Sequence, residues 1–354
     1  MIFISVMKKM KLILGSLKYF IFYFSICSLS VGQQNPLDAN LQLDDPVQAF
    51  ENIPINSRKI EIDLGRTEFP NSGHFQGIQS YYDSSLKKQI CFISRDSELK
   101  AYFITAAFDP GTLSDGEIRH IQYLPSDGRQ PPLRHAGGIQ LIGDYLVVGV
   151  EDNQDKLRSE IQFWDVADPF ATKQRTSLTV KRESTIPKDK TAGAVAVVKR
   201  AKDHLMLVAN WGTKALDFYT SNRLPLINDS CKFFLNFRWT IAEAEKDLWK
   251  PDSNWGNYQS INLICDRDFN LFLLGFYTKD SCSELIDLFS IDLSKDPEYI
   301  IQKLSSKQIL LGEDVHFQYS GGITIKSSTE LSCYSTERKE GAKIIVNVSS
   351  WNGP

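Results

Sequence analysis

Two histidines and the acidic residues that follow them are the side chains best suited to chemistry. His74 and His135 each open a His-x-x-Gly-Ile-Gln segment, and the apolar run that follows ends at Asp96 in one case and at Glu151-Asp152 in the other. An imidazole is a general base near neutral pH, and imidazoles with a carboxylate are a possible metal-binding set. Glycoside hydrolysis needs two carboxylates on either side of the bond. These residues indicate hydrolysis or metal binding if the fold brings them together.

A structural interpretation competes with each of these roles. An imidazole can simply hydrogen-bond to neighbouring backbone, and the segments around Asp96 and Glu151 have the composition of ordinary turns. A mononuclear metal site takes three or four ligands, which is more than two histidines and few carboxylates provide. The sequence has no nucleophile elbow, P-loop, dinucleotide-binding, zinc-protease or calcium-loop motif. We therefore expect no metal and no cofactor, and the structural interpretation is favoured.

A repeated unit must position these residues. Short apolar runs recur around five aliphatic anchors with spacings of 61, 56, 66 and 62 residues, namely Ile78, Ile139, Val195, Ile261 and Ile323. Each unit contains about four strand-like runs, which is the content of one propeller blade. The fifth unit is one strand short at Pro354, and the strand-like segment 59–64 can supply the missing strand. Such a closure removes an exposed sheet edge.

The predicted fold is therefore all-β. It is a β-propeller of five blades over residues 58–354, in which an N-terminal strand closes the last blade. A ring of six or seven blades, with one blade hidden in residues 225–260, is an alternative. A two-sheet sandwich is a further alternative, although it does not predict a repeat of this length.

One blade carries a family resemblance. The segment 137–148 and the run Phe-Trp-Asp-Val at 163–166 resemble secreted bacterial β-propellers with WD40-like or LVIVD-type repeats. The likeness extends over most of the chain as a pattern but is specific in this blade alone. It implies a propeller and no defined activity.

In a propeller, the start of each first strand and the end of each second strand reach the same face of the ring. Polar residues at those places are the natural ligand site of the fold. The predicted ligand-binding residues at this channel face are His74, His135, Asn257, Tyr319, Gln79, Gln140, Arg95, Glu151, Asn210 and Trp211. Any catalytic residues are expected among Glu151, Asp96 and His135.

The N-terminus predicts export. Residues 1–32 have the basic start, the apolar run and the small residues of a signal peptide that is cleaved before Gln33, and residues 33–57 form a polar, extended leader. A permanent N-terminal anchor and lipid attachment at Cys27 are alternatives. No apolar segment after residue 32 is long enough to span a bilayer. We expect a periplasmic or extracellular protein.

Composition narrows the partners. The 354 residues include 40 basic and 43 acidic side chains, and a net charge of −3 argues against nucleic acid as the main partner. The favoured function is a non-enzymatic module that binds a small molecule, a glycan or a protein at the channel face. The first alternative is a glycosidase- or esterase-like hydrolase, and the second is a scaffold of an envelope complex.

Overall fold

The structure is a computed structural model that describes residues 42–65, 67, 69, 73–110, 116–244, 255–280 and 283–350. The predicted signal peptide, its cleavage site and Cys27 lie outside these residues. Among the described residues, no helix has the length and apolarity needed to cross a membrane.

Within the described residues, the strands form five antiparallel meanders of four strands, which we call blades 1 to 5. The fold is the predicted all-β propeller. Blade 1 contains β2 (Phe75–Asp83), β3 (Lys88–Arg95), β4 (Tyr102–Phe108) and β5 (Gly116–Tyr123). Blade 2 contains β6 (His135–Ile142), β7 (Tyr145–Glu151), β8 (Arg158–Asp165) and β10 (Val180–Glu183), with the short β9 (Lys173–Gln174) also paired to β8.

The remaining blades have the same order. Blade 3 contains β11 (Ala194–Lys199), β12 (His204–Ala209), β13 (Ala215–Ser221) and β14 (Phe233–Thr240). Blade 4 contains β15 (Ser260–Cys265), β16 (Leu271–Lys279), β17 (Ser283–Ile291) and β18 (Ile301–Ile309). Blade 5 contains β19 (Gly322–Ser327), β20 (Glu330–Thr336), β21 (Lys343–Ser349) and, from the start of the chain, β1 (Arg58–Asp63).

The N-terminal strand closes the ring as predicted. β1 pairs antiparallel with β21, from Arg58 opposite Val348 to Asp63 opposite Lys343. Its far end also pairs with β5 of blade 1, so the closing strand joins the last blade to the first. The described part of the segment 225–260 contains β14, which is the outer strand of blade 3, and no additional meander.

The core lies mainly between blades. Four clusters of buried apolar side chains each join two consecutive blades, because the two faces of each sheet are covered by its neighbours. Burial of this apolar surface is the main force that holds the ring together. Cys91, Cys265 and Cys333 lie in this apolar interior as free thiols.

The predicted extended leader, residues 33–57, contains a helix, which corrects that prediction for its described part. The helix α1 (Pro46–Glu51) begins at Asp45, whose side chain accepts the N–H of Gln48 at 2.9 Å. Phe50 and Ile53 are buried in the cluster between blades 4 and 5. Apolar residues among the polar ones therefore attach this segment to the ring.

The inner strands leave little space along the propeller axis. A Cβ at Gly322 would overlap the carbonyl oxygen of Ile78 on the neighbouring inner strand. Gln140 donates to the carbonyl oxygen of Leu263 at 2.7 Å, and Gln79 donates to Asn262 at 3.2 Å. Both glutamines were predicted to bind ligand, but in the structure their buried amides connect inner strands across the axis.

Candidate active site at the mouth of the propeller

Two histidines from adjacent blades meet at the mouth. His74 immediately precedes β2 and His135 begins β6, and their rings lie 6.2 Å apart at an angle of 85°. Between them lies Gln76, whose Nε2 is 2.7 Å from Nδ1 of His74 and 2.8 Å from Nε2 of His135. The repeat predicted the histidine pair, but it did not predict Gln76.

A β-bulge places Gln76 there. Phe75 pairs with Arg95 and Gly77 with Ser94, so Gln76 is the extra residue of the strand. A bulge interrupts the alternation of side chains along a strand and commonly lies next to a functional site. Simple alternation therefore gives no indication that this amide reaches the histidines.

His135 is paired with a buried carboxylate. Glu151 ends β7 directly opposite His135 in the β6–β7 pair, and its Oε1 lies 3.1 Å from Nδ1 of the imidazole. Its other oxygen accepts the N–H of Ala192 at 2.5 Å, and its side chain is 0% exposed. Glu151 faces Nδ1 at ion-pair distance, so a proton on Nδ1 is favoured by its charge, and a neutral imidazole protonated there has its lone pair on Nε2. The strand register therefore builds an oriented Glu–His dyad.

Asp96 faces both histidines from the end of β3. One of its oxygens lies 3.9 Å from Nδ1 of His74, and the other lies 4.0 Å from Nε2 of His135. Asp96 also accepts the backbone N–H of His74. Gly73 makes this approach possible, because its φ is +97° and a Cβ there would overlap the carbonyl of Asp96. The side chain of Asp96 is 13% exposed, so it is accessible from the mouth.

The two histidines have opposite electrostatic surroundings. Burial lowers the pKa of His74, and the charge of Asp96 offsets this only in part. Burial also acts to lower the pKa of His135, but the hydrogen bond and charge of Glu151 outweigh it and the pKa is raised. Titratable groups whose environments separate their pKa values are a common feature of catalytic sites.

Aromatic rings flank the histidines on both sides. The ring of Tyr319 lies 6.4 Å from that of His74, and the ring of Trp211 lies 6.0 Å from that of His135. Each aromatic ring carries a cation, Arg338 at 5.4 Å from the Tyr319 centroid and Lys156 at 3.6 Å from the Trp211 centroid. The mouth therefore offers flat surfaces beside its polar centre.

An open cleft of about 810 Å³ extends from Trp211 along blades 3 and 4. The predicted residues Asn210 and Asn257 line it, together with Lys188 and Asp189. Asn210 is held in place, since its oxygen accepts the N–H of Ala215 at 2.8 Å and its Nδ2 donates to a backbone carbonyl. Asn257 is exposed in the cleft.

One predicted residue lies away from this cluster. Arg95 is fully buried, and its guanidinium donates to the hydroxyl of Tyr102 and, at 2.9 Å, to Glu340. Its neighbour Asp96 points to the mouth, because successive residues near a strand end point to opposite sides. Arg95 thus belongs to the interior of blade 1, whereas the sequence analysis grouped it with the ligand site.

No protein-family model matches the chain. No curated protein matches its sequence. Among solved structures, it is similar to Zg3597, a family 117 glycoside hydrolase of the marine bacterium Zobellia galactanivorans, with 8% identity, a TM-score of 0.45, and coverage of 84% of this chain and 92% of that one. A β-fructofuranosidase of Schwanniomyces occidentalis gives 11% identity and a TM-score of 0.47, with coverage of 82% and 58%.

The catalytic domain of a family 62 α-L-arabinofuranosidase of Coprinopsis cinerea gives 10% identity and a TM-score of 0.44, with coverage of 84% of this chain and 98% of that one. At these identities and TM-scores the likeness transfers no activity to this chain. The resemblance to WD40-like or LVIVD-type propellers stays a prediction.

The preference for a non-enzymatic binding module is wrong. The similar solved structures named above are glycoside hydrolases. The mouth also differs from the structural interpretation of the histidines, because His135 is oriented by the buried Glu151 and faces Asp96. The position of His135 between two carboxylates agrees better with the hydrolase alternative.

Proposed function

We propose that the mouth of the propeller is the reaction centre of a hydrolase that acts on a carbohydrate. The observation that carries the proposal is the position of His135 between two carboxylates. Glu151 binds Nδ1 from the buried side, and Asp96 faces Nε2 from the accessible side. Such an arrangement orients an imidazole and stabilises the positive charge that it gains on accepting a proton.

The proposed chemistry is the activation of water. In the structure the amide of Gln76 lies 2.8 Å from Nε2 of His135; in the proposed reaction a water takes the place of this amide beside Nε2, and Asp96 accepts a hydrogen bond from that water. As the oxygen of the water bonds to the substrate, Nε2 of His135 takes one of its protons; the bond to the leaving group breaks, and the imidazolium gives that proton to the leaving group. Because the side chain of Glu151 is 0% exposed, it acts through His135 and does not contact the substrate.

The surroundings support a carbohydrate substrate. Tyr319 and Trp211 lie beside the histidines, and aromatic rings stack on the apolar faces of sugars. Arg338 and Lys156 already lie over one face of these rings, so a sugar would use the other face or displace them. The cleft beyond Trp211 adds an exposed amide, Asn257, and charged side chains suited to hydroxyl groups. Water activation of this kind serves a glycosidic bond or an ester bond on the sugar, and the assay below separates them.

The test is hydrolysis by the purified chain of two substrate panels, aryl glycosides and acetylated glycans. We expect turnover on one panel, and a loss of about 100-fold in kcat/KM for His135→Ala, as for a lost general base. His204→Gln is the control, since His204 is a buried histidine of β12 outside the mouth cluster. No turnover of either panel, or equal turnover by His135→Ala, would contradict the proposal.

Export belongs to the proposal as well, since the predicted signal peptide, residues 1–32, would deliver the enzyme to glycans outside the cytoplasm. Determination of the N-terminus of the protein recovered from its producing cells tests this. A mature chain that begins at Gln33 is the expected result, and a retained Met1 or Met7 in the cytoplasmic fraction is the opposite one.

A further inference from the structure

Three side chains at the mouth converge on one point. A nitrogen of His74, an oxygen of Asp96 and a nitrogen of His135 all lie within 4.8 Å of one another. We infer that these three residues bind one divalent transition-metal ion, for which Zn²⁺ is the probe. The inference deepens the proposed function, on which it rests for the role of the ion. With the ion bound, Nε2 of His135 is a ligand, and the ion takes over the activation of the water from the imidazole.

The distances suit such an ion. Zinc binds nitrogen and oxygen ligands at about 2.0–2.2 Å, so two ligands of a tetrahedral site stand about 3.3 Å apart. The Asp96 oxygens lie 3.9 Å from His74 and 4.0 Å from His135. Small rotations of these side chains would bring all three atoms to an ion between them.

The ligand types select the class of metal. Two imidazoles and one carboxylate suit zinc and similar transition metals, whereas calcium and magnesium prefer oxygen ligands alone. Three protein ligands leave a coordination position open, which is the arrangement of catalytic zinc sites. Two histidines and few carboxylates in the sequence predicted no metal, but the structure brings Asp96 to both histidines.

The second layer of the site fits as well. Histidine ligands of metals usually donate their other ring N–H to a carboxylate, which fixes the tautomer. Glu151 stands in this position, with Oε1 3.1 Å from Nδ1 of His135, and is itself held by the N–H of Ala192. The ion would therefore bind the Nε2 lone pair that the dyad already points at the mouth.

The charges of the cluster balance a divalent cation. Asp96 and Glu151 provide two negative charges next to the two imidazoles. Two cations lie near the cluster, Lys156 at 3.6 Å from the Trp211 centroid and Arg338 at 5.4 Å from the Tyr319 centroid. They repel the ion, but they are not placed between it and its ligands.

Gln76 must respond to the ion. Its Nε2 lies within 2.8 Å of a nitrogen of each imidazole, which is the place the ion would take. A cation repels an amide NH₂ and attracts an amide carbonyl, so we expect the amide to turn its oxygen toward the ion. Gln76→Glu places a carboxylate there and is expected to bind Zn²⁺ about tenfold more tightly.

The test is calorimetric titration of ZnCl₂ into the untagged, chelator-treated chain. One site per chain is expected, with affinity at least tenfold weaker in His135→Ala and in the nearly isosteric Asp96→Asn. Glu151→Gln is expected to lose about tenfold, as for other carboxylates that support a ligand histidine. His204→Gln is the matched control and is expected to bind as the wild type does.

A Zn²⁺-dependent rise in the melting temperature of the wild type is a second measurement that needs no variant. The inference is overturned if the wild type neither binds nor is stabilised, or if His135→Ala and Asp96→Asn, both folded, bind as tightly as the wild type. Turnover that persists with a chelator would contradict the role of the ion and leave the proposed hydrolase activity standing. Binding of Zn²⁺ at one site, without turnover on either substrate panel, would support the metal site and contradict the proposed hydrolase activity.

Discussion

Two buried carboxylate clusters of this protein differ in how their charge is neutralised. Asp217 of β13 is fully buried and contacts three cations, Arg182 at 2.7 Å, Lys190 at 2.8 Å and Arg238 at 2.6 Å. At the mouth, the described side chains in ion-pair distance of Asp96 and Glu151 are imidazoles.

This difference indicates a structural role for the Asp217 cluster and a chemical role for the cluster at the mouth. The charge of Asp217 is fixed by cations that do not release their protons near neutral pH, so this cluster is suited to holding blades 2 and 3 together. Imidazole is by contrast the side chain whose ordinary pKa allows a change of charge near neutral pH, and it is a common metal ligand. A carboxylate that faces titratable partners is prepared for a change of charge, whereas one that faces arginine is not.

The largest effect on stability is expected at the first cluster. Asp217→Asn leaves the buried guanidinium of Arg182 without its carboxylate and is expected to cost about 3 kcal/mol of unfolding free energy. Denaturant unfolding of the variant measures this. Turnover per folded molecule is expected to stay near the wild-type value, and a stable but inactive Asp217→Asn would reverse the assignment of the two clusters.

A smaller effect is expected in acid. Burial acts to raise the pKa of Asp217, but Arg238, Arg182 and Lys190 outweigh it and lower the pKa to about 2, below the ordinary value of 3.8. A lowered pKa in the folded state gives stability that is present above pH 3.8 and is lost as the pH falls through 2.

This contribution is about 2 kcal/mol by the linkage relation. Unfolding free energies measured between pH 5 and pH 2 test it. The wild type should lose more stability over this range than Asp217→Asn does, and parallel curves would show that Asp217 is not the group responsible.

The smallest effect on stability is expected at His204, which is buried. Among the described residues, no carboxylate lies within hydrogen-bond distance of its ring. Burial lowers the pKa of His204 to about 4, whereas Glu151 raises that of His135. The unfolded chain therefore takes up a proton below pH 6.5 that folded His204 refuses, so stability falls between pH 6.5 and 4.

His204→Gln is expected to remove slightly under ~2 kcal/mol of the stability difference between pH 7 and pH 5. Thermal or denaturant unfolding at these two pH values measures it. An unchanged pH dependence in this variant would mean that His204 is protonated in the folded protein as easily as in the unfolded one.

The sequence predicts the framework of the site because the framework follows from periodicity. The repeat places His74 and His135 at equivalent positions of adjacent blades, and the antiparallel pair β6–β7 brings Glu151 opposite His135. The closing strand is predicted for a similar reason, since a blade with three strands lacks a partner for its edge.

Departures from periodicity are what the sequence does not reveal. A bulge turns Gln76 into the cluster, and the opposite directions of Arg95 and Asp96 send adjacent residues to different environments. The burial of Glu151 depends on the backbone of Ala192 in the next blade, 41 residues away. The helix α1 depends on apolar contacts to blades 4 and 5, and the polar composition of the leader does not predict these contacts.

Glu151→Gln tests the central claim most directly, because it keeps the shape of the side chain and removes the charge that orients His135. We predict a loss of about 100-fold in kcat/KM with a change in unfolding free energy of about 1 kcal/mol. A variant that keeps full turnover, or one whose lost turnover follows only from lost folded protein, would contradict the account of the mouth as a reaction centre.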